Sequence, residues 1–221
     1  PRKFVRHLPA DRRLALIDWA SQAGAWIIED DYDSEYRYWG KPIPSLQGLD
    51  GGDNVIYVGT FSKVLFPALR IGFIVAPPQL VDPLIAVRAL SGRHGNAIEQ
   101  QVLARFINDG HLGRHIRRMR RLYKARMDAL LHHSRRELSG LLEVETADSG
   151  LQTIAWLNAR FDDRTVYAAG LSAGLELSHL SRYCIKQKLP PGLLLGFGAF
   201  SEKEIAEAVL TMKRVLERLR T

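Results

Sequence analysis

The sequence lacks disulfide capacity and long apolar stretches. Only one cysteine, Cys184, occurs among 221 residues, which excludes a disulfide within the chain and is typical of a reducing compartment, so we expect a cytoplasmic location. No apolar run approaches the roughly 20 residues that a membrane-spanning helix needs. These absences exclude a disulfide-stapled scaffold and argue against a helical membrane protein.

The composition is that of a globular domain with its own core. Hydrophobic residues make up 46% of the chain and charged residues 25%, with a net charge of +7. Those fractions are ordinary for a folded domain, and the length fits one large domain or one and a half. The composition therefore leaves the function open, and local motifs must decide it.

The most informative segment follows a short apolar run at residues 55–58. Thr60, Ser62 and Lys63 come directly after this run, and Arg70 lies a little further on. Hydroxyls and a guanidinium suit a phosphate dianion, because charge-assisted bonds to arginine are strong and can be bidentate. A lysine amine can form a Schiff base with an aldehyde, which points to pyridoxal phosphate (PLP). An ordinary surface Ser-Lys pair is the alternative for this segment taken alone.

An acidic cluster ends the preceding strand-like run. Residues 25–28 are apolar and predict a buried strand, which is followed by Glu29, Asp30, Asp31 and Tyr32. Ligands of open α/β sheets bind outside the carboxyl ends of the strands, where both this cluster and Lys63 are expected. PLP needs a carboxylate against its pyridine nitrogen and benefits from a phenol near its 3-oxygen. Asp30 and Tyr32 are the candidates for these two contacts.

Several segments together resemble a known family. They are IIEDDYDSEYRY at 27–38, YVGTFSK at 57–63, the stretch from 110 to 123, LSRY at 180–183 and LLLGF at 193–197. They resemble the class I/II aminotransferase domain of fold-type I, in the version found in MocR-type regulators of the GntR superfamily. The DDYDSEY segment favours the regulators, because plain aminotransferases more often place the tyrosine one residue later.

The resemblance assigns roles to residues of the cofactor site. It makes Lys63 the internal-aldimine lysine and the catalytic residue, and Asp30 the partner of the pyridine nitrogen. Tyr32 would contact the 3-oxygen. The cofactor phosphate would be held by Thr60, Ser62 and Arg70.

The arginine that binds the substrate carboxylate is assigned differently. Many aminotransferases carry it in a late Arg-Leu-Gly-Phe-like strand, but this chain has leucine there, in Leu194-Leu195-Gly196-Phe197. The regulator subgroup resembles this chain in its Leu-Ser-Arg-Tyr segment, so Arg182 is the candidate. A solvated loop arginine is the alternative interpretation.

The expected architecture is α/β, the C-terminal part of a fold-type I PLP-dependent transferase. Residues 1–130 would form part of the large mixed-sheet domain with the interdomain helix, and 131–221 the small α+β domain. The pattern predicts a long helix over about 97–137, broken at Gly110 or Gly113. A last helix, opened by the capping-box sequence at 201–204, should pack its apolar stripe on the small-domain sheet.

The resemblance leaves more than one function open. The first hypothesis is an effector-sensing domain that holds PLP on Lys63 and responds to a small amino compound or to PLP itself. Such a protein would be a homodimer and would bind DNA only through a winged helix-turn-helix domain that this sequence does not contain. The alternative is a competent aminotransferase acting on an amino acid or amine, and a third possibility is a degenerate domain kept for dimer contacts. Because the first two need the same residues, the motifs do not decide whether the protein is an enzyme.

The sequence also has features of two other site types. Between Arg105 and Arg126 the chain has eight Arg or Lys residues and one acid, Asp109, a basic patch that suggests nucleic acid. An apolar stripe from Leu112 to Leu130 on the same helix favours a structural role instead. The histidines at 111, 115, 132 and 133 are crowded by arginines and fit no metal-binding pattern, so no metal site is expected.

Overall fold

A computed structural model describes residues 8–40, 42–92, 97–186 and 189–220. The helices are α1 (Ala10–Ala23), α2 (Leu46–Asp50), α3 (Pro78–Ser91), α4 (Ala97–Asn108), α5 (His111–Glu137), α6 (Asp163–Ser172) and α7 (Glu202–Arg218). The strands are β1 (Ile27–Asp31), β2 (Val55–Thr60), β3 (Gly72–Val75), β4 (Leu142–Val144), β5 (Gln152–Leu157), β6 (Ser178–His179) and β7 (Gly192–Gly196). None of the described helices combines the length and the apolarity needed to cross a membrane.

The chain divides into two compact units. One, here called the lysine unit, comprises Arg6–Glu35 and Gly40–Arg117, and the other, the C-terminal unit, contains Tyr36–Trp39 and Arg118–Thr221. Each unit has its own sheet.

The sheet of the lysine unit has three strands in the order β1-β2-β3. β1 and β2 are parallel, with Ile27 opposite Val55 and Asp31 opposite Gly59. β2 and β3 are antiparallel, with Thr60 opposite Gly72. β3 begins at Gly72, two residues after Arg70, whose left-handed backbone conformation a strand cannot contain.

The long helical segment is broken where the sequence indicated. α4 ends at Asn108 and α5 begins at His111, and Gly110 between them has φ +72°. Glycine adopts this left-handed conformation without the steric cost that a side chain would impose. Gly113 lies inside α5 and does not interrupt it.

The C-terminal unit is built on an antiparallel sheet of order β4-β5-β7-β6. Its core joins β5 and β7 to the apolar faces of α5, α6 and α7, and Met127, Val166 and Leu193 within it are fully buried. The expected stripe of α7 is confirmed at Ile205, Val209, Met212 and Leu216, all of which belong to this core. Leu219, which follows the last residue of the helix, is 37% exposed.

The start of α7 is the predicted capping box. The Ser201 hydroxyl accepts the Glu204 N–H at 3.3 Å, and the Glu204 carboxylate accepts the Ser201 N–H at 2.7 Å. The hydrogen bonds from Ser201 hold the pKa of Glu204 below its usual value. Reciprocal bonds of this kind satisfy backbone donors that the first turn leaves without helical partners.

The contrast between the two sides of α7 can be measured. Replacing fully buried Leu216 with alanine removes apolar contacts and leaves a cavity, so Leu216→Ala should lower the free energy of unfolding by about 2–5 kcal/mol. Leu210 on the same helix is 45% exposed, and Leu210→Ala should change it by no more than about 0.5 kcal/mol. Denaturant unfolding of both variants checks the assignment, and equal losses would contradict the packing described for this helix.

Candidate cofactor site

The register of the lysine unit brings the predicted cofactor residues to one edge of its sheet. β1 ends at Asp31 and is followed by Tyr32, and β2 ends at Thr60 and is followed by Ser62 and Lys63. Because β1 and β2 are parallel, their carboxyl ends meet. Arg70 reaches the same edge because β3 begins opposite the end of β2, where Phe61 N–H donates to Ile71 O at 3.0 Å.

The neighbouring carboxylates of β1 point to opposite faces of the sheet. Successive side chains of a strand alternate, so Asp30 shares one face with its partner Val58 and with Thr60. Glu29 and Asp31 lie on the other face. Asp30 is exposed, whereas Glu29 and Asp31 are partly buried.

Glu29 and Asp31 are engaged in holding the surrounding structure. The Glu29 carboxylate accepts the backbone N–H of Leu46 at 2.8 Å and of Gln47 at 3.1 Å, at the start of α2. Asp31 accepts the Tyr57 hydroxyl at 2.7 Å and the Ser34 N–H at 3.1 Å. Burial, followed by the hydrogen bond to Asp31, raises the pKa of Tyr57. Of the acidic cluster, Asp30 is therefore the carboxylate presented on the exposed face.

The loop that carries Lys63 is fixed on both sides of the lysine. The Thr60 hydroxyl accepts the Ser62 N–H at 3.1 Å, and Leu65 N–H donates to Phe61 O at 2.8 Å. Val64, the next residue, is 2% exposed, and its carbonyl is 2.9 Å from Nε2 of His115. Since a carbonyl only accepts, this nitrogen of His115 is the protonated one. Lys63 itself is exposed on this fixed backbone.

His115 is a residue whose role the sequence did not indicate. Its position on α5 suggested a surface or packing histidine, and no motif connects it to the lysine loop. The contact joins residues far apart in the chain, so only the fold reveals it.

Arg70 has an unusual backbone conformation. Its φ of +50° is the only positive value among the non-glycine residues that the structure describes. It follows the short 3₁₀ turn Pro67–Leu69 and directly precedes the segment that pairs with β2. A left-handed non-glycine residue costs on the order of 1–3 kcal/mol and is concentrated at functional sites.

An aromatic cluster supports the edge from the face opposite Asp30. Phe73 packs 6.0 Å from Tyr57 and 5.4 Å from Phe61, measured between ring centroids. Its ring occupies the space over Gly59, where an added Cβ would lie 2.4 Å from the Phe73 ring. Glycine at position 59 is therefore required by the close approach of this ring.

Tyr32 lies half-exposed beside negative charge. The charge of Asp33, then burial and the charge of Asp30, raise the pKa of its phenol above the ordinary value. The phenol thus stays protonated at neutral pH and is able to donate a hydrogen bond. Lysine, arginine, hydroxyl, carboxylate and phenol groups at one sheet edge form the donor set that a phosphorylated pyridine aldehyde requires.

Arg182 belongs to the C-terminal unit. It lies in the 3₁₀ turn Leu180–Tyr183, between β6 and β7, and its side chain is exposed. The structure thus groups the residues proposed for the cofactor in one unit and the residue proposed for the substrate carboxylate in the other.

The basic segment is helical and partly neutralised. Arg105 pairs with Asp109 at 3.6 Å, Lys124 pairs with Asp128 at 2.7 Å, and a guanidinium nitrogen of Arg126 donates to the Gly198 carbonyl.

Within the ranges that the structure describes, no group of three or more His, Cys, Asp or Glu side chains is arranged to hold a metal.

Comparison with known proteins gives relatives among transcriptional regulators. The probable rhizopine catabolism regulatory protein MocR of Rhizobium meliloti is 40% identical over 201 residues, covering 91% of this chain and 41% of that protein. The uncharacterized HTH-type transcriptional regulator YhdI of Bacillus subtilis is 40% identical over 202 residues, covering 91% of this chain and 43% of that protein. The chain thus spans less than half the length of these curated relatives.

Solved structures confirm the predicted α/β, fold-type I class. Kynurenine aminotransferase of Pyrococcus horikoshii, solved with PMP, KYN and KYA, superposes with a TM-score of 0.85 at 26% identity. The match covers 96% of this chain and 52% of that structure. A family model described as aminotransferase class I and II matches residues 7–168. Because this model covers well over half of the chain, the chain belongs to the aminotransferase class I and II family.

Proposed function

We propose that this chain is the PLP-binding, effector-sensing aminotransferase-like domain of a MocR-type regulator. The observation that carries the proposal is the convergence of Asp30, Thr60, Lys63 and Arg70 on one edge of the lysine-unit sheet. The regulator relatives at 40% identity favour sensing over turnover, because the aminotransferase structure is 26% identical.

Lys63 is the residue to which the cofactor aldehyde would be attached. When bound, PLP supplies an electron sink for the amino compound that reacts with it. The lysine stands exposed next to buried Val64, whose carbonyl is held by His115. The side chain of Lys63 is exposed while its backbone is held in place, which reduces the ordering cost of binding.

The cofactor phosphate would be held by the hydroxyl groups of Thr60 and Ser62 and the guanidinium of Arg70. Arginine binds phosphate with two parallel N–H bonds, which fix both distance and orientation. The left-handed conformation of Arg70 is consistent with a position retained for its side chain despite backbone strain.

Asp30 and Tyr32 would contact the pyridine ring. An ionised carboxylate against the ring nitrogen stabilises its protonated form, and a protonated phenol can donate to the 3-oxygen. Asp30 suits this role because it is exposed, while Glu29 and Asp31 on the opposite face are committed to backbone and tyrosine hydrogen bonds.

Arg182 is proposed to bind the carboxylate of the effector or substrate. The strand in which many aminotransferases carry this arginine is β7 here, and it reads Gly-Leu-Leu-Leu-Gly. Arg182 lies instead in the exposed turn before that strand and retains a bidentate donor for a carboxylate.

The regulatory role requires partners beyond this chain. We propose a cytoplasmic homodimer whose DNA contact is made by a winged helix-turn-helix domain joined to this one. The HTH-type name of the relative YhdI supports the DNA-binding part of this proposal. The signal would arise because the amino compound or PLP favours one conformation of the protein over another.

The second candidate function is aminotransferase activity, which would use the same residues and is supported by the structural likeness to kynurenine aminotransferase. Catalytic turnover distinguishes a sensor from an aminotransferase. A sensor given an amino acid and an excess of a 2-oxo acid should convert no more amino acid than its own cofactor content, whereas a transaminase should convert many equivalents.

The attachment residue can be identified directly. Purified protein incubated with PLP and reduced with borohydride should carry the cofactor on Lys63, because that amine stands at the phosphate-binding edge. Lys63→Ala should abolish this attachment, as measured by peptide mass spectrometry, while leaving the circular dichroism spectrum intact. Lys124→Ala, on α5, serves as the matched control and should retain full labelling. A label on another lysine of the unmodified protein would contradict the assignment.

Substitutions of Asp30 and Asp31 should affect different properties, PLP affinity in one case and the free energy of unfolding in the other. Asp30→Asn should weaken PLP binding at least about tenfold, because a charged hydrogen-bond partner is lost. Asp31→Asn should leave PLP affinity nearly unchanged but lower the free energy of unfolding by about 1–2 kcal/mol, since it disturbs the bonds to Tyr57 and Ser34. Absorbance titration and denaturant unfolding measure both. Reversed effects would transfer the pyridine role to Asp31.

Arg70 should show a trade-off between stability and phosphate binding. Arg70→Gly should raise the free energy of unfolding by about 1 kcal/mol, because glycine relieves the left-handed strain. The same change should weaken PLP binding but not pyridoxal binding, since pyridoxal lacks the phosphate. Arg70→Lys keeps both the backbone strain and the positive charge. It should therefore leave the free energy of unfolding unchanged and weaken the binding of PLP but not of pyridoxal. Equal losses for PLP and pyridoxal would exclude the phosphate role.

A further inference from the structure

A buried carboxylate holds the turn that carries Arg182. Asp163, the first residue of α6, is 4% exposed. Its carboxylate accepts the Ser181 backbone N–H at 2.9 Å and the Ser181 hydroxyl at 2.8 Å. Both bonds run from α6 to the 3₁₀ turn, between residues that are 18 positions apart in the chain. Burial makes them costly to break, because an unpartnered buried carboxylate is unfavourable.

The Ser181 hydroxyl extends this network to other side chains. It lies 2.7 Å from Nδ1 of His179 and 3.3 Å from Nε of Arg164. The Ser181 hydroxyl donates its single proton to Asp163, so both nitrogens donate to the hydroxyl oxygen. His179 therefore carries its proton on Nδ1. The ring of His179 also packs 5.1 Å from the Tyr167 ring on α6, between centroids.

The backbone on both sides of Arg182 is fixed. Leu180 is 5% exposed and packs against Gly192, where an added Cβ would lie 2.7 Å from a Leu180 methyl carbon. On the other side, Cys184 N–H donates to the Ser181 carbonyl at 3.3 Å. Arg182 is thus an exposed side chain on a turn anchored by apolar packing at one residue and by Asp163 at the next.

We propose that Asp163 is a positioning residue that holds the Ser181 turn so that the Arg182 guanidinium is preorganised to bind a carboxylate. The inference rests on the proposed role of Arg182 and adds a residue that no motif indicated. Preorganisation gains affinity because the ordering of the turn is completed before the ligand binds. The ligand class is therefore an amine that carries a carboxylate, and its recognition depends on a carboxylate of the protein that does not touch it.

The hydrogen bonds between Asp163 and Ser181 are tested first, without any ligand. Hydrogen–deuterium exchange of the full chain should show the Ser181 amide exchanging about ten- to a hundredfold faster in Asp163→Ala, because its acceptor is removed. Asp162→Ala is the matched control. Asp162 is the N-cap of α6, and its carboxylate accepts the Thr165 N–H at 2.9 Å and the Thr165 hydroxyl at 2.8 Å. If exchange of the Ser181 amide is unchanged in Asp163→Ala, or is accelerated equally in both variants, Asp163 does not hold the turn and the proposal is overturned.

Ligand selectivity is tested second, with alanine and ethylamine, which differ only in the carboxylate. Calorimetric titration of the PLP-treated chain should show Asp163→Ala and Arg182→Ala each weakening alanine about tenfold or more, with ethylamine unchanged. Ser181→Ala removes only the hydroxyl and should also weaken alanine binding. It replaces Asp163→Ala in the test if that variant does not fold. If Arg182→Ala loses affinity for alanine selectively but the Asp163 and Ser181 variants do not, the positioning role of Asp163 is overturned and the carboxylate role of Arg182 stands. An Arg182→Ala variant that binds alanine normally overturns the proposed carboxylate role of Arg182, and the positioning role with it, whatever the exchange experiment shows.

Discussion

The parallel pairing of β1 with β2 is the constraint on which the candidate site depends. With Ile27 opposite Val55 and Asp31 opposite Gly59, both strands end at the same level. A slip of one residue would turn Asp30 to the face now occupied by Glu29 and Asp31, and would carry its neighbours with it. The assembly of a carboxylate and a lysine at one edge is therefore a property of strand register as much as of residue identity.

The third strand completes this edge through a close contact. β3 returns antiparallel to β2, and the Phe73 ring fills the space that the missing side chain of Gly59 leaves open. Thr60 at the end of β2 pairs with Gly72 at the start of β3, so Arg70, two residues before β3, lies at the same edge. Any side chain at position 59 would displace the Phe73 ring.

Much of this architecture could be predicted from the sequence, since it follows from local patterns. The apolar stripe of α7, the capping box at Ser201 and the break at Gly110 are each encoded within a few residues. The division of labour among Glu29, Asp30 and Asp31 could not be predicted, because it depends on alternation within a strand of known register and on partners such as Tyr57 and Leu46. Acidic residues that are adjacent in sequence are equivalent until the sheet assigns their faces.

The contacts that the sequence could not indicate have a common physical purpose. His115 holds the carbonyl next to Lys63, and Asp163 holds the amide next to Arg182. In both cases an exposed basic side chain stands on a backbone position held by a polar group from a distant helix. Lysine and arginine side chains lose considerable rotamer entropy when they bind a ligand, so a backbone ordered in advance limits the remaining cost to the side chain itself. Such supporting residues leave no local motif, because their only requirement is to reach one backbone group, and many sequence positions can meet it once the fold has formed.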